Sequence, residues 1–533
     1  MRATARAFVT AAVATAWLFA AAGEAPVAKQ RSAVTIVAPV MTDAPSGGIV
    51  FALHRGAGSP HVTAPEPIRI TNEVDPTAAW TATTTEPWLV ISPTSGTSPS
   101  LATISIDASL LVSFSNGNFL GAVQIVSPVA PTNILTISVS LRITDTTSTT
   151  GIPMGVLETP AQNATGLSGA IAVTGWAIDD VGIRRVQIYR DAVGSEPPGQ
   201  IFIGDATRVR GARPDVVASL PGRPELTSAG WGLMVLSNVL PNGGNGTFTF
   251  SAVAEDIEGN RVLLGQRTVT FDNVNSPRPF GTIDLPQQGG TMSGTYANQG
   301  WILAQPTAFV PFDGSTIRLI IDGALQPNVA LYGSPRPDVL ALFPSPPYQN
   351  ANGPAVQFSI DTTPFANGLH TIVWLVTDSN GMSQGIGSRF VNIENGSGSI
   401  AAATESARSA PSVSRLPQAR AFVWDRKGVD EGGWSLQIAG GETPEIRQAP
   451  GERLEIALDT WWWSIGCGPY QGYLLTGDVA APLPPGASID GEQGLFRWLP
   501  PVEFAGTFEF VFIRRACTGW EERIPLRVII GSK

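Results

Sequence analysis

Residues 155–180, GVLETPAQNATGLSGAIAVTGWAIDD, return as residues 281–306, GTIDLPQQGGTMSGTYANQGWILAQP. Further on, RPDVVASLP (213–221) is answered by RPDVLALFP (336–344), and NGTFTFSAVAEDIEGN (245–260) by NGLHTIVWLVTDSNGM (367–382). Gly155 answers Gly281, Gly175-Trp176 answers Gly300-Trp301, Arg213-Pro214-Asp215 answers Arg336-Pro337-Asp338, and Asp256 answers Asp378. The offset stays near about 125 positions across all four anchors, which marks two copies of one module, each long enough to be a domain. Inside the copies, Phe248, Phe250 and Ala252 alternate with Thr249 and Ser251, and Ile372, Trp374 and Val376 alternate with Val373 and Leu375. A period of two is that of a strand, and short strands between turn dipeptides such as Asn245-Gly246 and Asn367-Gly368 define a β-sandwich.

The rest of the chain reads the same way. Leu135, Ile137, Val139, Leu141 and Ile143 alternate with Thr136, Ser138, Ser140 and Arg142, and Phe508, Phe510 and Phe512 with Thr507, Glu509 and Val511. The 57 glycines and 44 prolines interrupt helices and supply turns. The expected fold class is therefore all-β: tandem immunoglobulin-like sandwiches joined by flexible linkers. The net charge of −10 argues against a nucleic-acid partner, whose phosphates require basic patches. Residues 1–25 carry Arg2 and Arg6 before an apolar run from Ala7 to Ala22, the pattern of a cleaved export signal. The alternative is a membrane anchor, for which the run is short. The expected location is thus exported: extracellular, cell surface or periplasmic, with no membrane insertion after signal removal.

Residues 26–45 read as a linker. The segment 46–145 contains Trp80-Thr81-Ala82, Glu86-Pro87-Trp88-Leu89-Val90-Ile91-Ser92-Pro93 and Ser95-Gly96-Thr97, followed by Ile104-Ser105-Ile106 and Gly121-Ala122-Val123-Gln124-Ile125. In these residues it resembles the BACON domain, which implies an immunoglobulin-like sandwich of the kind attached to carbohydrate-active or cell-surface proteins. Trp80 and Trp88 have faces that suit a sugar ring, but the pattern favours placing both between the sheets. The copies at 155–274 and 280–395 resemble bacterial immunoglobulin-like domains, which implies spacer or adhesive roles. They differ at Gly230-Trp231-Gly232, which aligns by sequence with Gly353-Pro354-Ala355. After a second linker at 396–418, residues 419–533 hold Leu483-Pro484-Pro485-Gly486, Gly494-Leu495-Phe496-Arg497-Trp498-Leu499-Pro500 and Ala505-Gly506-Thr507. This segment resembles the putative-immunoglobulin, cadherin-like module of exported bacterial proteins.

Candidate sites are few. Trp461-Trp462-Trp463 on a strand cannot all face one core, so with Tyr470 and Tyr473 they form a candidate aromatic binding patch, with burial as the alternative. Cys467 and Cys517 are the two cysteines; in an exported chain they are expected to pair and close a loop of about 50 residues, two free thiols being the alternative. Arg213/Asp215 and Arg336/Asp338 read as local ion pairs that fix a loop rather than as ligand clamps. Asp179-Asp180, Asp256/Glu258 and Asp378 suit calcium chemically but lack its loop spacing, so turn capping is the reading taken. The three histidines are His54, His61 and His370. His370 reads as structural, and His54 and His61 lie in one loop with no third ligand in view, which makes them a poor zinc pair. No nucleophile, phosphate-loop or metalloprotease motif occurs. The expectation is a protein with no enzymatic activity, metal or cofactor. Its role would be binding or adhesion toward a polysaccharide or another surface protein, with a structural spacer and, after it, a carbohydrate-active enzyme as alternatives.

Overall fold

The computed structural model describes residues 40–44, 47–55, 60–72, 77–128, 133–145, 151–395, 421–427, 434–437, 443–449, 451–460, 469–476, 479–515 and 521–531. The expected signal and the linkers at 26–45 and 396–418 therefore lie wholly or mostly outside the described residues. The fold is all-β, in tandem immunoglobulin-like sandwiches; among the described residues its α-helices are two of one and a half turns, Pro214–Ser219 and Pro337–Leu342. Each helix begins at the Arg-Pro-Asp anchor, where proline takes the first helical position and needs no donor.

In the first module a four-stranded sheet (Val40–Thr42, Glu66–Asn72, Ser100–Ile106, Leu89–Ser92) faces a six-stranded one. The six-stranded sheet runs His61–Val62, Ile49–Arg55, Leu135–Asp145, Gly117–Val126, Ala79–Thr84, Ser95–Thr97. The alternation read along 135–145 is the burial pattern: Ile137, Val139, Leu141 and Ile143 are buried and Thr136, Ser138 and Arg142 exposed. Trp80 and Trp88 are both interior, and the Trp80 indole N–H donates to Ser100 Oγ at 2.8 Å.

The first repeat is one seven-stranded sheet folded over on itself. Strand Gln200–Arg208 pairs with Ile183–Asp191 along most of its length, while Thr207 and Arg208 pair with Gly230–Leu236. The second repeat keeps two sheets. One is Phe280–Leu285, Thr295–Leu303, Ala355–Asp361 and Leu331–Ser334; the other is Thr291–Met292, Ser383–Ile393, Gly368–Thr377, Ile317–Ile321 and Ala324–Leu325. The last module is two five-stranded sheets around Trp498, Phe496, Phe508, Phe510 and Phe512.

The duplicated glycines hold equivalent positions. A Cβ on Gly155 would run into the Trp176 carbonyl oxygen, and one on Gly281 into that of Trp301. Gly175 and Gly300 each lie under a core tryptophan, but not the same one. A Cβ on Gly175 would stand 2.6 Å from Trp231 Cζ2, and one on Gly300 2.9 Å from Trp374 Cη2. Trp231 sits directly opposite Gly175 in the ladder. Opposite Gly300 is Val356, so the ladder aligns Gly230 with Ala355 and shifts the sequence pairing by two residues. Trp374 comes from the facing sheet, at the position that Ala252 holds in the first repeat: Ile188 pairs with Ala252 as Leu319 pairs with Trp374. Both sandwiches thus fill one space with one indole, delivered from opposite sides.

Polar side chains that alternation assigns to solvent lie between modules. Thr63 Oγ1 of the first module donates to the Val181 carbonyl of the first repeat at 2.7 Å. The Arg210 guanidinium reaches back to Glu66 and to the carbonyls of Pro67 and Asp43. Val209 and Ala212 of the first repeat and Phe390 of the second share a buried cluster with Leu454, Trp498 and Phe504 of the last module. Ile320 and Val373 of the second repeat bury Leu499. The modules are interlocked through buried contacts.

Candidate functional site

The Arg-Pro-Asp anchors form the same clamp twice. Arg213 donates to Asp215 at 2.9 and 2.6 Å and to Glu158 at 2.8 and 3.2 Å. Arg336 donates to Asp338 at 2.8 and 2.6 Å and to Asp284 at 2.6 Å. The fork of the guanidinium matches a carboxylate edge to edge, and this bond holds Asp338 down at about 2. The clamps tie the helix to the first strand of each repeat, so their guanidiniums are committed. Arg336 and its partners remain solvent-accessible, so Arg336→Met is expected to lower stability by about 0.5–1 kcal/mol. Thermal denaturation in low and high salt checks this, the difference shrinking as salt screens the pair.

The acidic turns cap themselves. Asp256 Oδ1 accepts from the Glu258 and Asn260 amides at 2.9 Å each, and Asp378 Oδ1 from the Asn380 and Met382 amides at 2.9 and 3.0 Å. Asp179 Oδ2 accepts from the Val181 and Gly182 amides at 2.9 and 3.1 Å. Burial, with Asp180 and Asp256 nearby, still pushes Asp179 up to about 6.

Beside these turns, one group converges from two modules. His54 is the penultimate residue of strand Ile49–Arg55 of the first module; Asp180 and Glu258 follow strands Ala170–Ile178 and Gly246–Asp256 of the first repeat. One ligand atom from each lies within 4.8 Å of the other two. His54 Nδ1 is 3.3 Å from Glu258 Oε1, and both side chains are 6% exposed. Asp180 Oδ2 accepts from the Gly151 amide at 3.3 Å. Asp180 Oδ1 and Glu258 Oε2 are buried with no hydrogen-bond partner. The sequence places His54 beside His61, and the two do pair across a ladder. The groups that join His54 come instead from the next module, and no local spacing announces them.

His370 donates from Nδ1 to Asp322 Oδ2 and from Nε2 to the Ala366 carbonyl, at 2.5 and 2.7 Å, and holds the second repeat's strand Gly368–Thr377 to the turn after Ile321. Burial opposes its charge, and Asp322 outweighs that and raises its pKa.

The aromatic cluster resolves in part. Trp461, Trp462, Trp463, Cys467 and Cys517 lie outside the described residues. Tyr470 and Tyr473 are interior rather than members of a surface patch. The Arg514 guanidinium lies over the Tyr470 ring at 5.5 Å, and Tyr473 packs with Ala480, Val511 and Ile513. The Tyr473 ring fills the second face of strand Gly506–Arg515 and Tyr470 joins the cluster of Phe496, Phe510 and Phe512 on the first, so both rings are interior. An aromatic surface does occur on the second repeat. Phe312, 52% exposed, stacks on Tyr332 of the edge strand Leu331–Ser334 with ring centroids 5.6 Å apart. Val329 and Leu331 in the adjoining segment, and Phe309 in the same loop as Phe312, are also exposed. Phe312 stands in a turn-rich loop without strand alternation, so its exposure has no sequence signature. Among the described residues, a groove of 320 Å³ on the first repeat is lined by Arg190, Phe202, Leu233, Val235, Leu240 and Pro241.

No family model matches the chain, and no curated protein matches it. Solved structures to which it is similar include tandem immunoglobulin and cadherin-like domains. The immunoglobulin domains 1–4 of Sidekick-1 align over 92% of this chain and 99% of theirs at 9% identity and a TM-score of 0.22. The Bacteroides ovatus mixed-linkage glucan utilization locus protein SGBP-B, in complex with a mixed-linkage heptasaccharide, aligns over 71% of each chain at 10% identity and a TM-score of 0.16. A tetra-tandem repeat from the extending region of a large adhesion protein aligns over 91% of this chain and all of its own at 13% identity and a TM-score of 0.16. The fold assignment rests on the strands and their registers. Among the described residues no helix is long and apolar enough to cross a membrane.

Proposed function

We propose that the chain is an exported, non-catalytic binding or adhesion protein whose partner is a polysaccharide or another surface protein. Its first module is assigned to the BACON-like class on the Trp80 and Trp88 segments, and its location outside the cytoplasm on residues 1–25. The observation that carries the binding role is the exposed Phe312 ring stacked on Tyr332. An aromatic face of this kind suits the C–H face of a sugar ring or an apolar partner side chain. Several buried charged groups are engaged in holding the fold: Arg213 with Glu158 and Asp215, Arg210 with Glu66, and His370 with Asp322. That engagement supports the absence of catalysis.

A glycan array and polysaccharide pull-downs with the full chain test the reading. Retention of at least one polysaccharide is expected, falling about tenfold or more in Phe312→Ala at an unchanged melting temperature. Trp462→Ala is the second arm, since the Trp461–Trp463 run is the other aromatic candidate. A wild-type chain that retains neither glycan nor surface protein would leave the spacer reading, which the interlocked modules favour.

A further inference from the structure

We propose that His54, Asp180 and Glu258 form a binding site for a divalent transition-metal ion of the zinc class, placed so that the ion joins the first module to the first repeat. Three observations converge. The three side chains bring one nitrogen and two carboxylate oxygens within 4.8 Å of one another, close enough for all three to reach one ion. Two of the three ligands are shielded from solvent: the His54 and Glu258 side chains are each 6% exposed. Glu258 Oε2 and Asp180 Oδ1 are buried there without a hydrogen-bond partner. An unpartnered buried carboxylate oxygen is costly, and a cation is what it lacks. Among the described residues neither Asp180 nor Glu258 forms an ion pair with arginine or lysine; the side-chain partner of Glu258 is the His54 imidazole.

The donor set selects the metal. Calcium and magnesium prefer all-oxygen shells, and calcium takes about six to eight of them. An imidazole with two carboxylates suits zinc and its first-row neighbours, which accept nitrogen and oxygen together in shells of about four. Three protein ligands leave room for water or a further group. Of the neighbouring acids, Asp256 commits both oxygens within its own turn, while Asp179 commits Oδ2 to backbone amides and leaves Oδ1 without a partner. The ion would bridge elements from separate modules, so it would act on how firmly the first module is docked. It adds to the Thr63–Val181 and Arg210–Glu66 contacts already present at that junction.

The test uses the full chain, stripped of metal with a chelator, then titrated with zinc chloride by calorimetry and with cobalt chloride by visible absorption. One ion per chain is expected, with a cobalt d–d spectrum and a melting temperature that rises with zinc concentration. Glu258→Gln and Asp180→Asn keep the shape of each side chain and are expected to weaken zinc binding roughly 100-fold, since even outer partners of metal ligands are worth about 10–100-fold. Far-UV circular dichroism verifies that each variant is folded; if one is not, the other and the wild-type titration decide. Zinc binding below one ion per chain at micromolar concentration would overturn the proposal. So would undiminished binding in both variants, or preference for calcium over zinc.

Discussion

Trp374→Ala is expected to destabilise the second repeat by about 3–5 kcal/mol, the cost of emptying a core position that held an indole. The ring is fully buried, lies over Gly300, and contacts Phe358 at a centroid distance of 5.8 Å. Its N–H donates to Asn298 Oδ1 at 2.7 Å, and the Asn298 amide donates in turn to the Leu285 carbonyl at 2.7 Å. Removing the ring therefore also strands the buried oxygen of an asparagine that is 0% exposed. Native-state hydrogen exchange on the strand Gly368–Thr377 measures the effect within the one module. A loss under about 1 kcal/mol would mean that the core closes over the vacancy.

The first repeat supplies the counter-experiment. Its indole, on Trp231, has no partner for its N–H, and Val173 stands where the second repeat has Asn298. Ala252→Trp alone overfills that core, because Trp231 already occupies the space over Gly175. Trp231→Val together with Ala252→Trp moves the ring to the other sheet, as in the second repeat, and should recover most of what either change loses. Recovery would show that what the duplication preserved is one volume against one glycine, not one residue.

This exchange marks how far the sequence is legible. Period-two alternation and the anchor glycines suffice for the all-β class, because burial on one face and a close backbone approach are local demands. The clamps were readable too, since arginine and aspartate two residues apart can meet without help from the fold. The tryptophan exchange was not, because Trp231 and Trp374 stand at different places along the chain and share a location only once the sheets are stacked. The His54–Asp180–Glu258 group was hidden for the same reason: its members are local to nothing. The faces between modules were hidden by the rule that revealed the strands. Glu66, Arg210 and Arg213 sit at positions that alternation or charge assigns to water, and each is largely buried against a neighbouring segment or module. Phe508, Phe510 and Phe512 point into the core as read, but Val511 and Ile513 on the other face are buried as well, against Tyr473.

Glu503 is the least legible of these residues, and it sets the second large expectation. It lies in Pro501-Val502-Glu503-Phe504, a segment without motif, and is 1% exposed where three modules meet. Gly230 and Gly232 of the first repeat crowd it, and Gln288 of the second repeat donates to its Oε1 at 2.9 Å. Oε2 has no partner, and the nearby Arg213 is already held by Glu158 and Asp215. Burial raises its pKa from 4.5 to about 7. The sign follows from which state holds the proton. Below about pH 4.5 both folded and unfolded chains are protonated at this position, and the fold bears no penalty. Between about 4.5 and 7 the unfolded chain releases its proton first, so stability falls as pH rises through this window and levels off above it. At about 1.4 kcal/mol for each pH unit, the full loss at this group is about 3 kcal/mol. Glu503→Gln keeps an oxygen for the Gln288 amide and carries no charge at any pH. It should be more stable than the wild type at pH 8 by an amount approaching that figure, and equal to it near pH 4. Denaturation of both chains across that range decides the matter: parallel curves would show that water reaches Glu503 and that the junction opens around it, whereas converging curves would show three modules closed over a carboxyl group that stays neutral until about pH 7.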